Sequence, residues 1–270
     1  MSHTKIRTTI ICSLLLALTI FPQFEATAAS TLFFYNPESN INDFRSLKKL
    51  FDVYLSRNGA YQFQPFDKKN TFEEFLKKHK NDVFLLSSWH YQNLREQGYS
   101  NLKPILVGTI NGDFTYTKIL STKKKIKNMK QLLGKRVASA GNKNYTKNML
   151  NNMAAQQQLN LSFNILTVPK DIDALMSVLF GMAQGALTAR HSLKTLATIN
   201  PRKHRLLHQI TESQPIMLPV VVAYGSATKI SSNKLLDAIE NLPSSSAGKE
   251  ILGMLGWNGW KKITQAEMQF

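Results

Sequence analysis

Short apolar runs and helically spaced apolar residues take turns along most of this chain. Leu32-Phe33-Phe34-Tyr35 is an apolar run stopped by Asn36-Pro37, which predicts a strand and then a turn. Phe44, Leu47, Leu50, Phe51 and Tyr54 recur at spacings of three and four, the mark of a helix with one apolar face. A strand follows at Tyr61 to Pro65, and Thr71 with Glu74 makes a capping-box pattern around helically spaced Phe72, Phe75 and Leu76. Val83 to Leu86 reads as a short buried strand. Strand, helix, strand, helix, strand is the order of a parallel sheet with covering helices.

A second unit repeats that logic. Pro104 to Gly108 is β-like, Asn111-Gly112 is a strong hairpin turn, and Phe114 to Leu120 resumes the strand pattern. Met129 to Ser139 reads as a short helix, a glycine turn and a strand. A polar loop from Gly141 to Thr146 then precedes a helix from Lys147 to Gln158. A strand at Phe163 to Val168 leads to a helix from Asp171 to Phe180. Leu187 to Leu196 and Arg205 to Ile210 carry no decisive period. Leu218 to Tyr224 is a β run, Lys234 to Leu242 an amphipathic helix, and the tail holds Trp257 and Trp260. The expected fold is α/β with two lobes, each a mainly parallel sheet with flanking helices. Two crossover connections divide residues 29–108 and 219–270 from residues 109–218. Ligands of such folds sit in the cleft, at strand carboxyl ends and helix N-termini.

The first thirty residues break the pattern. Lys5 and Arg7 precede an apolar run from Ile10 to Phe21, and Ala26-Thr27-Ala28 offers the small residues that signal peptidase reads. The run falls short of the about 20 residues that span a membrane, so residues 1–28 are expected to be a cleaved export signal and the mature protein periplasmic. Cys12 lacks the surroundings of a lipid-modified cysteine. It is also the only cysteine, so the mature chain has no disulfide, no thiolate nucleophile and no cysteine-ligated metal. About 240 remaining residues suffice for a core without staples.

Charge narrows the partners. The chain carries 34 Lys+Arg against 17 Asp+Glu; without Lys5, Arg7 and Glu25 the count is 32 against 16, a net +16. Such a field draws anions: a small ligand, lipid headgroups or other envelope polyanions. Export argues against nucleic acid. Runs such as Lys77-Lys78-His79-Lys80, Lys123-Lys124-Lys125 and Arg202-Lys203-His204-Arg205 read as solvated helix ends and loops. His204 and His208 stand four apart, but no third ligand is near and the flanking cations would repel a metal, so neither metal nor cofactor is expected.

Several segments taken in order carry a resemblance. Pro104 to Gly108, Gly112 to Tyr116, Leu133-Gly134-Lys135-Arg136-Val137, Val178 to Gly181 and Ala247-Gly248-Lys249-Glu250-Ile251-Leu252 stand as they do in periplasmic substrate-binding proteins of the phosphate/phosphite/phosphonate type. The resemblance covers nearly all of the mature chain. It implies a type 2 periplasmic binding protein fold, a monomer whose lobes close on a small anionic ligand and deliver it to an inner-membrane ABC permease.

The resemblance also proposes a site. Its phosphonate binders carry a Ser-Thr-Ser run at a helix start, where this chain has Asn144, Tyr145 and Thr146; amides and the Thr146 hydroxyl would hold the oxyanion, with Tyr145 narrowing the space. Gln184 stands where an acidic residue would hold an aminoalkyl group, which points away from 2-aminoethylphosphonate. Tyr35, at the end of the first strand, and Tyr116, after the glycine turn, are candidate pocket tyrosines. Trp89 and His90 would add aromatic area. Gly-x-Ser-x-Gly and His-Glu-x-x-His are both absent, and enzymes of related folds need cofactor or cysteine chemistry, so catalysis is not expected. Altered polar positions keep a second reading open: an envelope protein of the same fold that feeds a sensor kinase or carries a lipid. A third is a basic surface that itself binds polyanions.

Overall fold

The computed structural model describes residues 30–38, 43–225 and 230–268, so the expected leader of residues 1–28 lies outside them. β1 (Ser30–Tyr35) runs between β2 (Tyr61–Pro65) and β3 (Val83–Leu86), parallel to both. The chain then returns antiparallel: β12 (Val220–Tyr224) lies between β3 and β4 (Leu102–Thr109), and β13 (Gly259–Lys262) closes the far edge. β1, β2, β3 and β4 thus run one way and β12 and β13 the other, in a six-stranded sheet ordered β13-β4-β12-β3-β1-β2.

A five-stranded sheet takes the middle of the chain. β7 (Arg136–Ser139) lies parallel to both β8 (Asn164–Thr167) and β9 (Gly185–Ala189). β6 (Lys118–Lys123) pairs antiparallel with β9 on one side and with β10 (Leu207–Glu212) on the other. Only β6 runs against the rest. Between the sheets, β5 (Thr115–Tyr116) and β11 (Ile216–Met217) form a two-stranded ribbon where the chain passes out and back.

Helices cover both sheets as their apolar spacing demands. α1 (Phe44–Ser56) is capped by Asp43, whose Oδ1 accepts from the Ser46 amide at 2.8 Å, and buries Leu47, Phe51, Tyr54 and Leu55. Phe51 stacks on Phe63 of β2 with ring centres 4.0 Å apart. α2 (Lys69–Lys78) buries Phe72 and Leu76, and α3 (Ser88–Glu96) starts under a Ser87 cap. The second sheet carries α4 (Lys143–Ala155), α5 (Asp171–Leu179) and α6 (Arg190–Ile199), and the short α7 (Pro201–His204) follows. His204 therefore ends a helix while His208 lies in β10, so the pair shares no helix face. α8 (Ile230–Glu240) and α9 (Ser246–Leu255) return to the first sheet. Among the described residues, no helix is long and apolar enough to cross a membrane.

Two local expectations meet tertiary constraints. Asn111 and Gly112 do adopt the positive φ values of a tight turn, 54° and 92°, and Ile110 bridges Asp113. The arms then part: β4 pairs within the first sheet and β6 within the second, because their apolar faces are buried in different cores. The helix expected from Lys147 begins one turn earlier, because Asn142 caps it and its Oδ1 accepts from the Tyr145 amide at 2.9 Å.

Gly248 shows how closely α9 is seated. A Cβ built there would lie 2.0 Å from the carbonyl oxygen of Leu242, a backbone atom that cannot swing aside. Gly248→Ala is expected to cost about 2 kcal/mol or more, overpacking a core that has no slack. A urea midpoint equal to that of the wild type would show that the helix can shift and that this seat is not rigid.

Candidate functional site

Carboxyl ends of parallel strands from both sheets face one another across a cleft. Its first-sheet wall begins where β1 ends. Asn36-Pro37 stops the strand, and Asn36 Oδ1 accepts from the Glu38 amide at 2.9 Å, a local turn that swings the Glu38 side chain inward. Glu38 is only 4% exposed. Tyr116 Oη, from the ribbon between the sheets, donates to Glu38 Oε2 at 2.7 Å, and the hydroxyls of Tyr116 and Tyr145 stand 3.5 Å apart. Glu38 Oε1 is buried without a hydrogen-bond partner.

Burial holds the Glu38 carboxyl above the ordinary range for glutamate; Tyr116, the Lys118 charge, the Trp89 amide and the Ser87 hydroxyl pull it back in part. The Trp89 amide and Ser87 hydroxyl lie close by without closing a bond of normal geometry onto Oε1. Burial, and then the Glu38 charge, push the hydroxyls of Tyr116 and Tyr145 well above 10, so both stay protonated and able to donate.

Beside this cluster opens a cavity of about 700 Å³. Glu38 and Tyr116 line one part of it, and Lys118, Asp171, His191 and Ser192 another, with Leu218 and Trp257 closing the apolar side. Lys118, 4% exposed, sits 3.6 Å from Asp171 Oδ2 and 5.7 Å from the centre of the Tyr116 ring. Asp171 Oδ2 also accepts from the Ala189 amide at 2.6 Å and from Ser192 Oγ at 3.3 Å, which fixes the carboxylate at the start of α5. Burial pulls the His191 imidazole below 6.5, with the Asp171 charge opposing and Lys118 assisting. Among the described residues, no cluster of three or more His, Cys, Asp or Glu side chains could hold a metal.

Of the residues expected from the sequence, Tyr116 lines the cavity. Tyr35, Trp89 and Tyr145 gather around it as a seam joining the two sheets. Asn142 donates its backbone N–H to the Pro37 carbonyl at 2.8 Å and its Nδ2 to Tyr35 Oη at 3.4 Å, and Trp89 meets the Tyr145 ring edge-on at 5.6 Å. The expected cradle at Asn144, Tyr145 and Thr146 is engaged within the protein. The Tyr145 amide is held by the Asn142 cap, the Thr146 amide donates to the Asn142 carbonyl, and the Thr146 hydroxyl donates to the Gly141 carbonyl at 3.2 Å. Asn144 is exposed on the first turn of α4.

Gln184 lies away from the cavity. It precedes β9 and bonds Arg136 at the start of β7, its Oε1 accepting from the Arg136 amide at 3.2 Å, whereas Ala189 at the other end of β9 lines the cavity. Five residues of strand, about 16 Å, separate the two ends. His90 is packed inside the first lobe, edge-on to Tyr35 at 5.1 Å. Glu38, Lys118 and Asp171 are the polar groups that sequence reasoning missed.

Comparison with known proteins agrees with this fold. The family model for periplasmic substrate-binding proteins of phosphonate ABC transporters matches residues 34–268. The chain belongs to that family. A binding protein component of a phosphonate ABC transporter from Pseudomonas aeruginosa superposes with a TM-score of 0.63 at 14% identity, over 89% of this chain and 83% of that one. PhnD1 of Prochlorococcus marinus, solved with methylphosphonate, gives 0.64 at 14% identity over 89% and 94%. A Xanthomonas citri protein solved with chloride gives 0.63 at 13% identity over 88% and 92%. At such identities the likeness is one of fold. No curated protein sequence matches. As a member of the phosphonate-binding family, the chain is an exported, two-lobed solute-binding component that works with a permease, and not an enzyme.

His90 supplies a test of the packing around this site. It is fully buried, and burial, assisted by the Lys69 charge, pushes its imidazole down to about 3. Nε2 lies 3.4 Å from Glu73 Oε1, but a neutral ring makes no salt bridge there. The unfolded chain takes up a proton on this histidine below about 6.5 and the native state does not until about 3, so stability falls as pH drops between those values. Relative to His90→Phe, the wild type is expected to lose up to about 1.4 kcal/mol per pH unit between pH 6 and pH 4. Parallel stability curves for the two proteins would show that His90 ionises freely in the native state.

Proposed function

We propose that this protein captures a small oxyanion of the phosphonate class in the cavity beside Tyr116 and Lys118. Residues 1–28 would be removed on export, and the monomer would close lobes of residues 29–108 with 219–270 and 109–218 around the ligand before meeting its permease. Membership of the phosphonate-binding family supports the class of cargo, and one observation carries the site: Lys118 is a buried cation on the cavity wall, next to the Tyr116 ring. A buried ammonium with three N–H donors suits an anion with several oxygens. The Asp171 carboxylate orients Lys118 by their close approach, and Leu218 and Trp257 offer an apolar wall for a short alkyl substituent. The net positive charge of the chain would raise the local concentration of anions at the cleft mouth.

The reading gives a ranking of variants. Isothermal titration with methylphosphonate should show Lys118→Met weakening binding by about 10- to 100-fold, the worth of a charge-assisted hydrogen bond of about 1.5–3 kcal/mol. Tyr116→Phe should weaken it less than Lys118→Met does, since the Tyr116 hydroxyl already donates to Glu38 Oε2. Thr146→Ala should change it little, since that hydroxyl is spent on Gly141. Equal affinities for the wild type and Lys118→Met would remove this cavity as the oxyanion site.

A further inference from the structure

The cavity wall contains a carboxylate that a simple anion receptor would avoid. Glu38 is 4% exposed, lines the cavity, and has one oxygen taken by Tyr116 and the other without a partner. Its surroundings are those of an anion site. They comprise the Tyr116 hydroxyl at 2.7 Å, the Lys118 ammonium, and the Ser87 hydroxyl and Trp89 amide at the start of α3. The chain's own carboxylate therefore stands where an oxyanion would be stabilised. Two ionised oxyanions cannot share such a space without strong repulsion at low dielectric.

We propose that Glu38 is the specificity-determining group of the cleft, and that an oxyanion binds there only together with one proton, carried on Glu38. With Oε2 already accepting from Tyr116, the proton sits on Oε1, the oxygen without a partner. The carboxyl then becomes a hydrogen-bond donor toward the ligand instead of a competing charge. The proton comes from solvent, leaves with the ligand, and no covalent bond changes. Burial already favours the neutral carboxyl. The inference rests on the oxyanion reading of the cavity and adds the property that selects among anions: a fully ionised ligand carries a penalty that a ligand able to share a proton avoids.

The charged and titratable groups facing Glu38 are Tyr116 from β5, Lys118 from β6 and Tyr145 from α4. Ser87 and the Trp89 amide approach from α3, and Asp171 and His191 line the cavity with it. Burial holds the Tyr116 and Tyr145 hydroxyls well above 10, so both stay protonated across the range tested. His191, pulled below 6.5 by burial, and the ligand itself contribute equally in a Glu38→Gln protein, so the difference between the two proteins isolates Glu38.

The test is isothermal titration of methylphosphonate into wild type and Glu38→Gln from pH 5 to pH 9. Circular dichroism should establish that the variant is folded. Glutamine mimics the neutral carboxyl, so Glu38→Gln should bind at least about tenfold tighter than wild type at pH 9, and the two should converge toward pH 5. Titrations of the wild type in buffers of different ionisation enthalpy should show about one more proton taken up per ligand than Glu38→Gln takes up. A constant affinity ratio across the pH range, with equal proton uptake, overturns the role of Glu38 while leaving the oxyanion reading intact. If neither protein binds methylphosphonate at any pH, both fall. Should Glu38→Gln not fold, the buffer-dependent titrations of the wild type decide alone: no proton uptake beyond that of the ligand and His191, the latter measured with His191→Gln, contradicts the proposal.

Discussion

A carboxylate taken out of water must be held by several partners, and Glu38 is the buried charge on which the centre of this protein turns. It sits at the junction of three parts: the end of β1, the ribbon that links the sheets, and the start of α4 with its Tyr145 hydroxyl. The Asn36-Pro37 turn that aims it inward also presents the Pro37 carbonyl to the Asn142 amide of the opposite lobe. One local backbone choice thus fixes both the seam between lobes and the polarity of the cavity beside it. The buried Tyr145 and Tyr35 and the partly buried Trp89 pack around that seam and keep water from the carboxylate.

Much of the fold was legible in the sequence because it rests on periodicity. The runs at residues 32–35, 61–65 and 83–86 are strands, as is 220–224 of the run expected from 218, and the face of Leu47, Phe51 and Tyr54 is buried as its spacing demands. What resisted reading was what depends on partners far along the chain. Asn111-Gly112 makes its turn, but which sheet each arm joins is decided by burial, which no local pattern contains. Ala189 of β9 is followed directly by Arg190 of α6, with no glycine, proline or loop residue between them, so the boundary between strand and helix is invisible until β9 is seen paired with β6 and β7.

The site was less legible, for a related reason. Tyr116 was accessible because the family that the chain resembles places a pocket tyrosine after the glycine turn. Glu38 reads as a solvated turn residue and Asp171 as an ordinary acid at a helix start. Lys118 carried the one signal worth noticing, a lone charge within the strand pattern from Phe114 to Leu120. Gln184 was placed by its distance from a glycine, yet the parallel strand carries it to the wrong end of the sheet. Asn144 to Thr146 do stand at a helix start, but Asn142 and Gly141 use the groups that would have faced an anion.

Family membership states what kind of protein this is, and the geometry refines what its cleft can accept. Between a positively charged exterior and a cavity holding Lys118, Asp171 and Glu38, selectivity depends on proton placement more than on net charge. A crystal structure of the protein grown with methylphosphonate tests this most directly. The account predicts the phosphonate oxygens within hydrogen-bonding distance of Lys118 Nζ and of Glu38 Oε1, the latter contact short enough to require a shared proton. A phosphonate bound elsewhere, with the cavity beside Tyr116 and Glu38 left unoccupied, would contradict it.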